Sequence, residues 1–239
     1  MIPRKIHYCW FGKGEMPQLA KDCIASWHKY MPDWEYKLWN EDNYDIQSVP
    51  YVKEAYEAHK YAFVSDYVRL WALEREGGIY LDTDVVAFKS FDDLLGWKAF
   101  AGFEGSKTTP VGTCVMATEP HGVWVKEQMD RYQLRHFILE DGRYDQTTNV
   151  QFITKHMCEN GLVLNGLEQD YKDLHVFPVE YFCPRQTTGE YCRTNNTHCD
   201  HLGMGSWTTK KSGLKGWFLR FMSPKTRIRL IKLKRKFIR

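Results

Sequence analysis

The segment from Tyr56 to Val86, YEAHKYAFVSDYVRLWALEREGGIYLDTDVV, constrains the fold more than any other part of the chain. Val64, Val68, Trp71 and Ala72 share one helical face, and Tyr67, Leu70 and Leu73 share another, so the spacing predicts a largely buried helix over Tyr56–Glu76. Gly77 and Gly78 are the residue types that end a helix. Ile79 to Val86 then reads as a buried strand, on which Asp82 and Asp84 fall on the same side because side chains alternate. Two carboxylates in so apolar a strand need a physical reason.

Upstream, KIHYCWFG reads as a first strand, Pro17 to Tyr30 as a helix with Leu19, Cys23, Ile24 and Trp27 on one stripe, and Trp34 to Asn40 as a second strand. This β-α-β opening points to an α/β fold with parallel pairing. Downstream, Ala99–Gly105 and Thr113–Thr118 read as strands, with helices near Val123–Phe137 and Asn149–Cys158 and loops after Pro184. With 239 residues, one domain over 1–209 and a separate tail over 210–239 account for the length.

Charge divides the chain at the same place. The segment from Thr208 to Arg239 holds 12 of the 33 Lys and Arg and none of the 30 Asp and Glu, so the body before it is acidic. Leu214, Trp217, Phe218, Phe221 and Met222 recur at helical spacing there, and KTRIRLIKLKRKFIR follows Pro224. A basic amphipathic helix with Trp and Phe on its apolar face suits an anionic membrane surface; an ordinary helix packed on the body with a basic end is the competing reading. No nucleic-acid module or aromatic interleaving accompanies the charge, so nucleic acid is not expected as a partner. Seven cysteines without compact spacing favour a reducing compartment. No apolar run reaches the ~18–20 residues of a membrane span, so the expected location is cytoplasmic, peripheral to the inner face of a membrane.

Asp82 and Asp84 form a patch of hard oxygen donors of the kind that holds Mg²⁺ or Mn²⁺ together with a diphosphate. By itself the pair carries little information, since 15 Asp in 239 residues give about one Asp-x-Asp by chance. Its setting adds weight, because open α/β sheets bind ligands at the carboxyl ends of their strands. On the preceding helix Asp66 and Arg69 are i and i+3 and share a face. A surface salt bridge is the plain alternative, but these two sit among Val64, Val68 and Leu70.

The stretches IPRKIHYCWFG, YAFVSDYVRLWALEREGGIYLDTDV and HLGMGSW resemble the three signature blocks of the family 32 glycosyltransferases. That family includes bacterial capsular and cell-surface polysaccharide transferases and fungal mannosyltransferases; the clostridial glucosylating toxins are more distantly similar. The likeness covers residues 2–100 well, 101–197 loosely and 198–207 by motif. It implies a glycosyltransferase-A fold, a Rossmann-like nucleotide-binding mixed sheet flanked by helices, and retention of anomeric configuration. Ile6, His7, Tyr8 and Trp10 match the strand whose end holds the nucleotide base, with Trp10 as the stacking ring. Asp66 and Arg69 match positions near the donor sugar and leaving phosphate, and Tyr80 a tyrosine near the donor. Asp82 matches a contact to ribose or sugar, and Asp84 the direct metal ligand. His201 matches a second metal ligand, and Ser206 and Trp207 match phosphate contacts. The second histidine usual in the last block is replaced by Leu202, which leaves His198 as a possible ligand, and Asn149 and Gln146 are candidates for the reacting face of the sugar.

The resulting expectation is a retaining, Mn²⁺- or Mg²⁺-dependent hexosyltransferase. Its donor would be a UDP-sugar such as UDP-galactose or UDP-glucose, its acceptor a bacterial surface glycan or lipid-linked oligosaccharide. GDP-mannose is the alternative donor, and a nucleotide-sugar phosphohydrolase the alternative from another class. Cys192, His198, Cys199 and His201 fit no common zinc spacing and are not expected to hold one structural ion.

Overall fold

A computed structural model describes residues 1–105, 110–185 and 190–203. Strand β1 (Lys5–Cys9) leads into α1 (Gln18–Tyr30), β2 (Glu35–Trp39), α2 (Pro50–Glu57), α3 (Tyr61–Glu76), β3 (Gly78–Leu81) and β4 (Val85–Ala87). There follow β5 (Ala99–Phe103), β6 (Val111–Thr118), α4 (Val123–Asp130), α5 (Asn149–Glu159), β7 (Gln169–Tyr171), β8 (Leu174–Phe177) and β9 (Cys199–His201).

Seven strands form one sheet in the order β2-β1-β3-β6-β5-β8-β7, and β4 and β9 form a small second sheet. The expected parallel pairing holds where β1 lies between β2 and β3, and again between β5 and β8. β6 runs antiparallel to both β3 and β5, so the sheet is mixed, as in a glycosyltransferase-A fold. One apolar cluster joins buried residues of α2, α3, α4 and α5 to the sheet, and the other joins Trp27 of α1 to β3, β4 and the segment around Phe182. Helices thus cover both faces. Among the described residues no helix is long and apolar enough to cross a membrane.

The single helix expected over Tyr56–Glu76 is two. Pro50 opens α2, where a missing N–H costs nothing, and the chain turns out of it through His59 at φ 56°. Histidine tolerates this left-handed conformation better than most residues, so the break carries no glycine to announce it. At the other end of α3 the glycines are required. Gly77 and Gly78 have φ 62° and 98°, and a Cβ on them would stand 2.6 Å from Pro120 and 2.7 Å from the Lys5 carbonyl.

The strand expected over Ile79–Val86 ends at Leu81. Val85 N–H donates to the Asp82 carbonyl at 3.0 Å, a tight turn, after which β4 leaves the main sheet to pair with β9. Trp27 donates its indole N–H to the Val85 carbonyl at 2.7 Å, and Ala87 N–H donates to Ser26 Oγ, so α1 anchors the departing strand. The helix expected to reach Phe137 stops at Asp130: Tyr132, Gln133 and Arg135 N–H make tighter bonds to the carbonyls three residues back, and Phe137 and Ile138 N–H bond the Glu54 carboxylate. The tail, 210–239, lies outside the described residues.

Candidate active site

The turn at Asp82–Val85 does what an extended strand would not. Asp82 N–H is held by the Cys114 carbonyl of β6 at 2.9 Å, and Leu202 N–H bonds the Asp84 carbonyl at 3.0 Å. The β4–β9 register sets Val85 opposite His201. As a result one ligand atom each from Asp82, Asp84 and His201 lie within 4.8 Å of one another, with His201 Nε2 and Asp84 Oδ1 3.3 Å apart. Two carboxylates and an imidazole suit a divalent ion such as Mn²⁺ or Mg²⁺, imidazole tilting the set toward the former. Burial opposes a charge on His201, but the Cys114 thiol and Asp84 carboxylate outweigh it and raise its pKa well above the ordinary value. An ion taken up here would have to displace that proton.

Arg69 organises the wall beside this set. Its side chain is only 6% exposed and reaches Asp66 Oδ1 at 3.1 Å and Asp82 Oδ1 at 3.3 Å. It also donates to the Ser65 and Thr113 carbonyls and lies 4.6 Å over the Tyr80 ring. Tyr80 donates its hydroxyl to the same Asp82 oxygen at 2.9 Å. Burial opposes the guanidinium charge, yet Asp82, Tyr80 and Asp66 reverse the balance and hold the pKa above its usual value. Asp66 is pushed up to about 6, chiefly by burial and despite Arg69.

Asn149, the first residue of α5, donates its backbone N–H to Asp66 Oδ2 at 3.2 Å and its amide to the Asp66 carbonyl at 3.1 Å. Thr148 and Gln151 close a capping box around this helix start. The N-terminal pole of α5 is thereby aimed at a carboxylate, the favourable sense of its dipole.

These groups open on one cavity of about 860 Å³, which Trp10, Asp66, Arg69, Tyr80, Asp82, Asp84, Asn149 and His201 all line. The indole N–H of Trp10 bonds the Gly14 carbonyl. Of the four residues named from the first block, Ile6, His7 and Tyr8 do not line the cavity; Ile6 is core. His7 is fully buried; Trp39 donates to its Nδ1 at 3.0 Å, so its Nε2–H donates to the Gly77 carbonyl at 2.8 Å. Burial lowers its pKa to about 4, in keeping with a neutral ring. Tyr8 faces the other side of β1, edge-on to Trp27. The ligand role expected of His7 is corrected to packing; Tyr8, half-buried, does not line the cavity.

Gln146 lines a different hollow, with Leu139 and Tyr144. His198 bonds Asp93 and the Asn196 carbonyl instead of joining His201, and Cys192 points at the Pro184 carbonyl. Ser206 and Trp207 lie outside the described residues. Glu104 and Cys114, which sequence reasoning passed over, line the cavity. Glu104 stands just past the carboxyl end of β5, where a ligand-facing group is expected; nothing local marks Cys114.

The fold is of the glycosyltransferase-A type, and the acid–arginine site lines one of its cavities. Residues 17–101 match the glycosyltransferase sugar-binding region containing DXD motif. It is similar to inositol phosphoceramide mannosyltransferase 3 of Schizosaccharomyces pombe, 31% identical over 115 residues that cover 46% of this chain and 31% of that protein. It is also similar to a mannosyl phosphorylinositol ceramide synthase of Saccharomyces cerevisiae, 26% identical over 179 residues, 72% of this chain and 43% of that one. The chain thus spans less than half the length of these relatives. Among solved structures, the PaToxG glycosyltransferase superposes with a TM-score of 0.50 at 18% identity, over 67% of this chain and 70% of that one.

Proposed function

We propose that the protein is a metal-dependent, retaining glycosyltransferase that moves a hexose from a nucleotide sugar to a hydroxyl acceptor. The observation that carries this reading is the convergence of Asp82, Asp84 and His201 beside Arg69 in a single cavity. Asp84 and His201, with Asp82 alongside, would hold Mn²⁺ or Mg²⁺; when bound, such an ion neutralises charge on a departing diphosphate. Arg69, already fixed by two carboxylates and two carbonyls, presents a positive charge that needs no reorganisation as the leaving group forms. Asp66 and Asn149 offer acceptors and donors to sugar hydroxyls. Asp82 is tied by Arg69 and Tyr80 through Oδ1, which favours ribose or donor sugar as its second contact. Trp10 would stack on the base.

A UDP-sugar such as UDP-galactose or UDP-glucose is the proposed donor, with a surface glycan or lipid-linked oligosaccharide as acceptor. GDP-mannose is the second reading, favoured by the names of the fungal relatives, which describe mannosyl transfer to inositol phosphoceramide. The basic residues of the tail support attachment to an anionic membrane surface from the cytoplasmic side; loss of liposome binding on deleting residues 212–239 would be the supporting result, and unchanged binding would end it.

A thermal-unfolding screen of nucleotide sugars with and without Mn²⁺ tests the donor site. One nucleotide class should protect in a Mn²⁺-dependent way, and Asp84→Ala should abolish that dependence. Acceptor-independent release of free sugar would turn the assignment toward a phosphohydrolase. Retention is proposed to follow from attack of the acceptor hydroxyl on the face that the diphosphate leaves, and a trapped glycosyl adduct on a carboxylate would overturn that route.

A further inference from the structure

A second donor set of different chemistry meets the first at His201. Glu104, Cys114, Cys183 and His201 each present one ligand atom, and all four lie within 4.8 Å of one another. The Cys114 and Cys183 sulfurs are 3.4 Å apart. Around a tetrahedral ion with metal–sulfur distances of about 2.3 Å and metal–nitrogen or –oxygen distances of about 2.0–2.1 Å, ligand atoms stand roughly 3.3–3.8 Å from one another. On that geometry the most widely spaced donors need to close by up to about 1.5 Å and the two sulfurs to part by about 0.4 Å.

We propose that Glu104, Cys114, Cys183 and His201 bind a soft divalent cation of the Zn²⁺ class, an alternative to the hard ion assigned to Asp84 and His201 with Asp82, with which it shares the His201 imidazole. The donors come from four segments already fixed in place. Cys114 lies on β6, where its carbonyl holds Asp82 N–H; His201 is paired through β9 to β4; Glu104 follows β5 and Cys183 follows β8. Three of the four line the cavity, so an ion has a route in.

Two sulfur ligands select zinc over Mg²⁺ or Mn²⁺, which favour the carboxylate set. The contact with Cys183 and burial hold the Cys114 thiol protonated, while at Cys183 the contact with Cys114 opposes the proton and burial keeps it in place; each thiol gives its proton to solvent on ligation. No electron transfer is involved. An ion on the thiolate set draws on the same imidazole as the carboxylate set, so zinc uptake opposes binding of the hard ion. This last step rests on the proposed donor-site metal; the binding itself does not.

Cobalt is the probe, because thiolate–Co²⁺ ligation produces an intense near-ultraviolet charge-transfer absorption. The reduced full chain titrated with Co²⁺ should develop that band and lose it on addition of Zn²⁺. Asp84→Ala should keep it, and Cys114→Ser and Cys183→Ser should each lose it while retaining the wild-type circular dichroism. Absence of the band in the wild-type chain overturns the proposal whatever the variants do, as does a band that survives in both serine variants or disappears in Asp84→Ala. Zn²⁺ should also raise the Mn²⁺ concentration needed for nucleotide-sugar protection in the wild type and not in Cys114→Ser. Failure of any nucleotide sugar to protect would count against the glycosyltransferase reading, leaving the cobalt result to judge this one.

Discussion

His7 and Tyr80 are paired residues on adjacent strands, yet the polar groups around them are built on opposite principles. His7 belongs to a closed, neutral network in which Trp39 donates to one ring nitrogen and Gly77 accepts from the other. Tyr80 belongs to a charged network, with Arg69 between Asp66 and Asp82, that opens on the cavity. A neutral network whose partners are all supplied by protein is suited to holding strands together. A charged network at a cavity edge retains the field needed to meet an anionic ligand, at the expense of burying ions.

The largest effect expected is on the charged side. Arg69→Ala leaves Asp66 and Asp82 without their shared counter-charge and should cost about 3–5 kcal/mol in chemical denaturation, along with donor protection. Arg69→Lys should recover only part, because an ammonium cannot fork across two carboxylates. Near-normal stability in Arg69→Ala would show that the two acids do not depend on it.

The two networks should also respond to pH with opposite sign. His7 has its pKa lowered from 6.5 to about 4 in the fold, so the unfolded chain binds the proton first; its contribution is complete above about pH 6.5 and lost as pH falls toward 4. Asp66 is raised from 3.8 to about 6, so its contribution is present at low pH and lost as pH rises from about 4 to 6. Each shift corresponds to roughly 3 kcal/mol. Stability curves of His7→Leu and Asp66→Asn, each subtracted from wild type, should slope in opposite directions over pH 4–6. His7→Leu should also weaken the fold at neutral pH by about 1–3 kcal/mol, from the unpaired Gly77 carbonyl and Trp39 N–H, without changing donor affinity. Slopes of the same sign, or a donor defect in His7→Leu, would erase the distinction.

Smaller effects sharpen it. Trp10→Ala should cost about 1–3 kcal/mol in donor binding if the ring stacks on a base, with little change in unfolding. Thr148→Ala should cost about 1 kcal/mol in stability through the lost cap of α5, and should weaken donor binding only as far as it disturbs Asn149.

Much of the charged network was legible because it is local. Asp66 and Arg69 are three residues apart on one helix, and Gly77-Gly78 bring the next strand back beside them within a few residues. The direction of His7 was not legible: β1 lies between two strands, and the partner of its Nδ1, Trp39, comes from β2. The break between α2 and α3 was missed because a histidine, not a glycine, takes the left-handed turn. Gln146 and Asn149 are three residues apart, yet only the one at the start of α5 faces the cavity.

The chain's residues alone determined that a buried helix, a double-glycine stop and a carboxylate-bearing strand end follow one another, since spacing and backbone freedom are local properties. They also determined which acids and which arginine carry the charge of Asp66, Arg69, Asp82 and Asp84. Only the tertiary structure decided that Asp82 and Asp84 converge through a turn and not along a strand. It also decided that His201 arrives on β9 as their neighbour while Cys114 and Glu104 reach the same cavity from β6 and β5. Those placements depend on which strands pair, and strand pairing is settled by the burial of side chains far apart in the sequence.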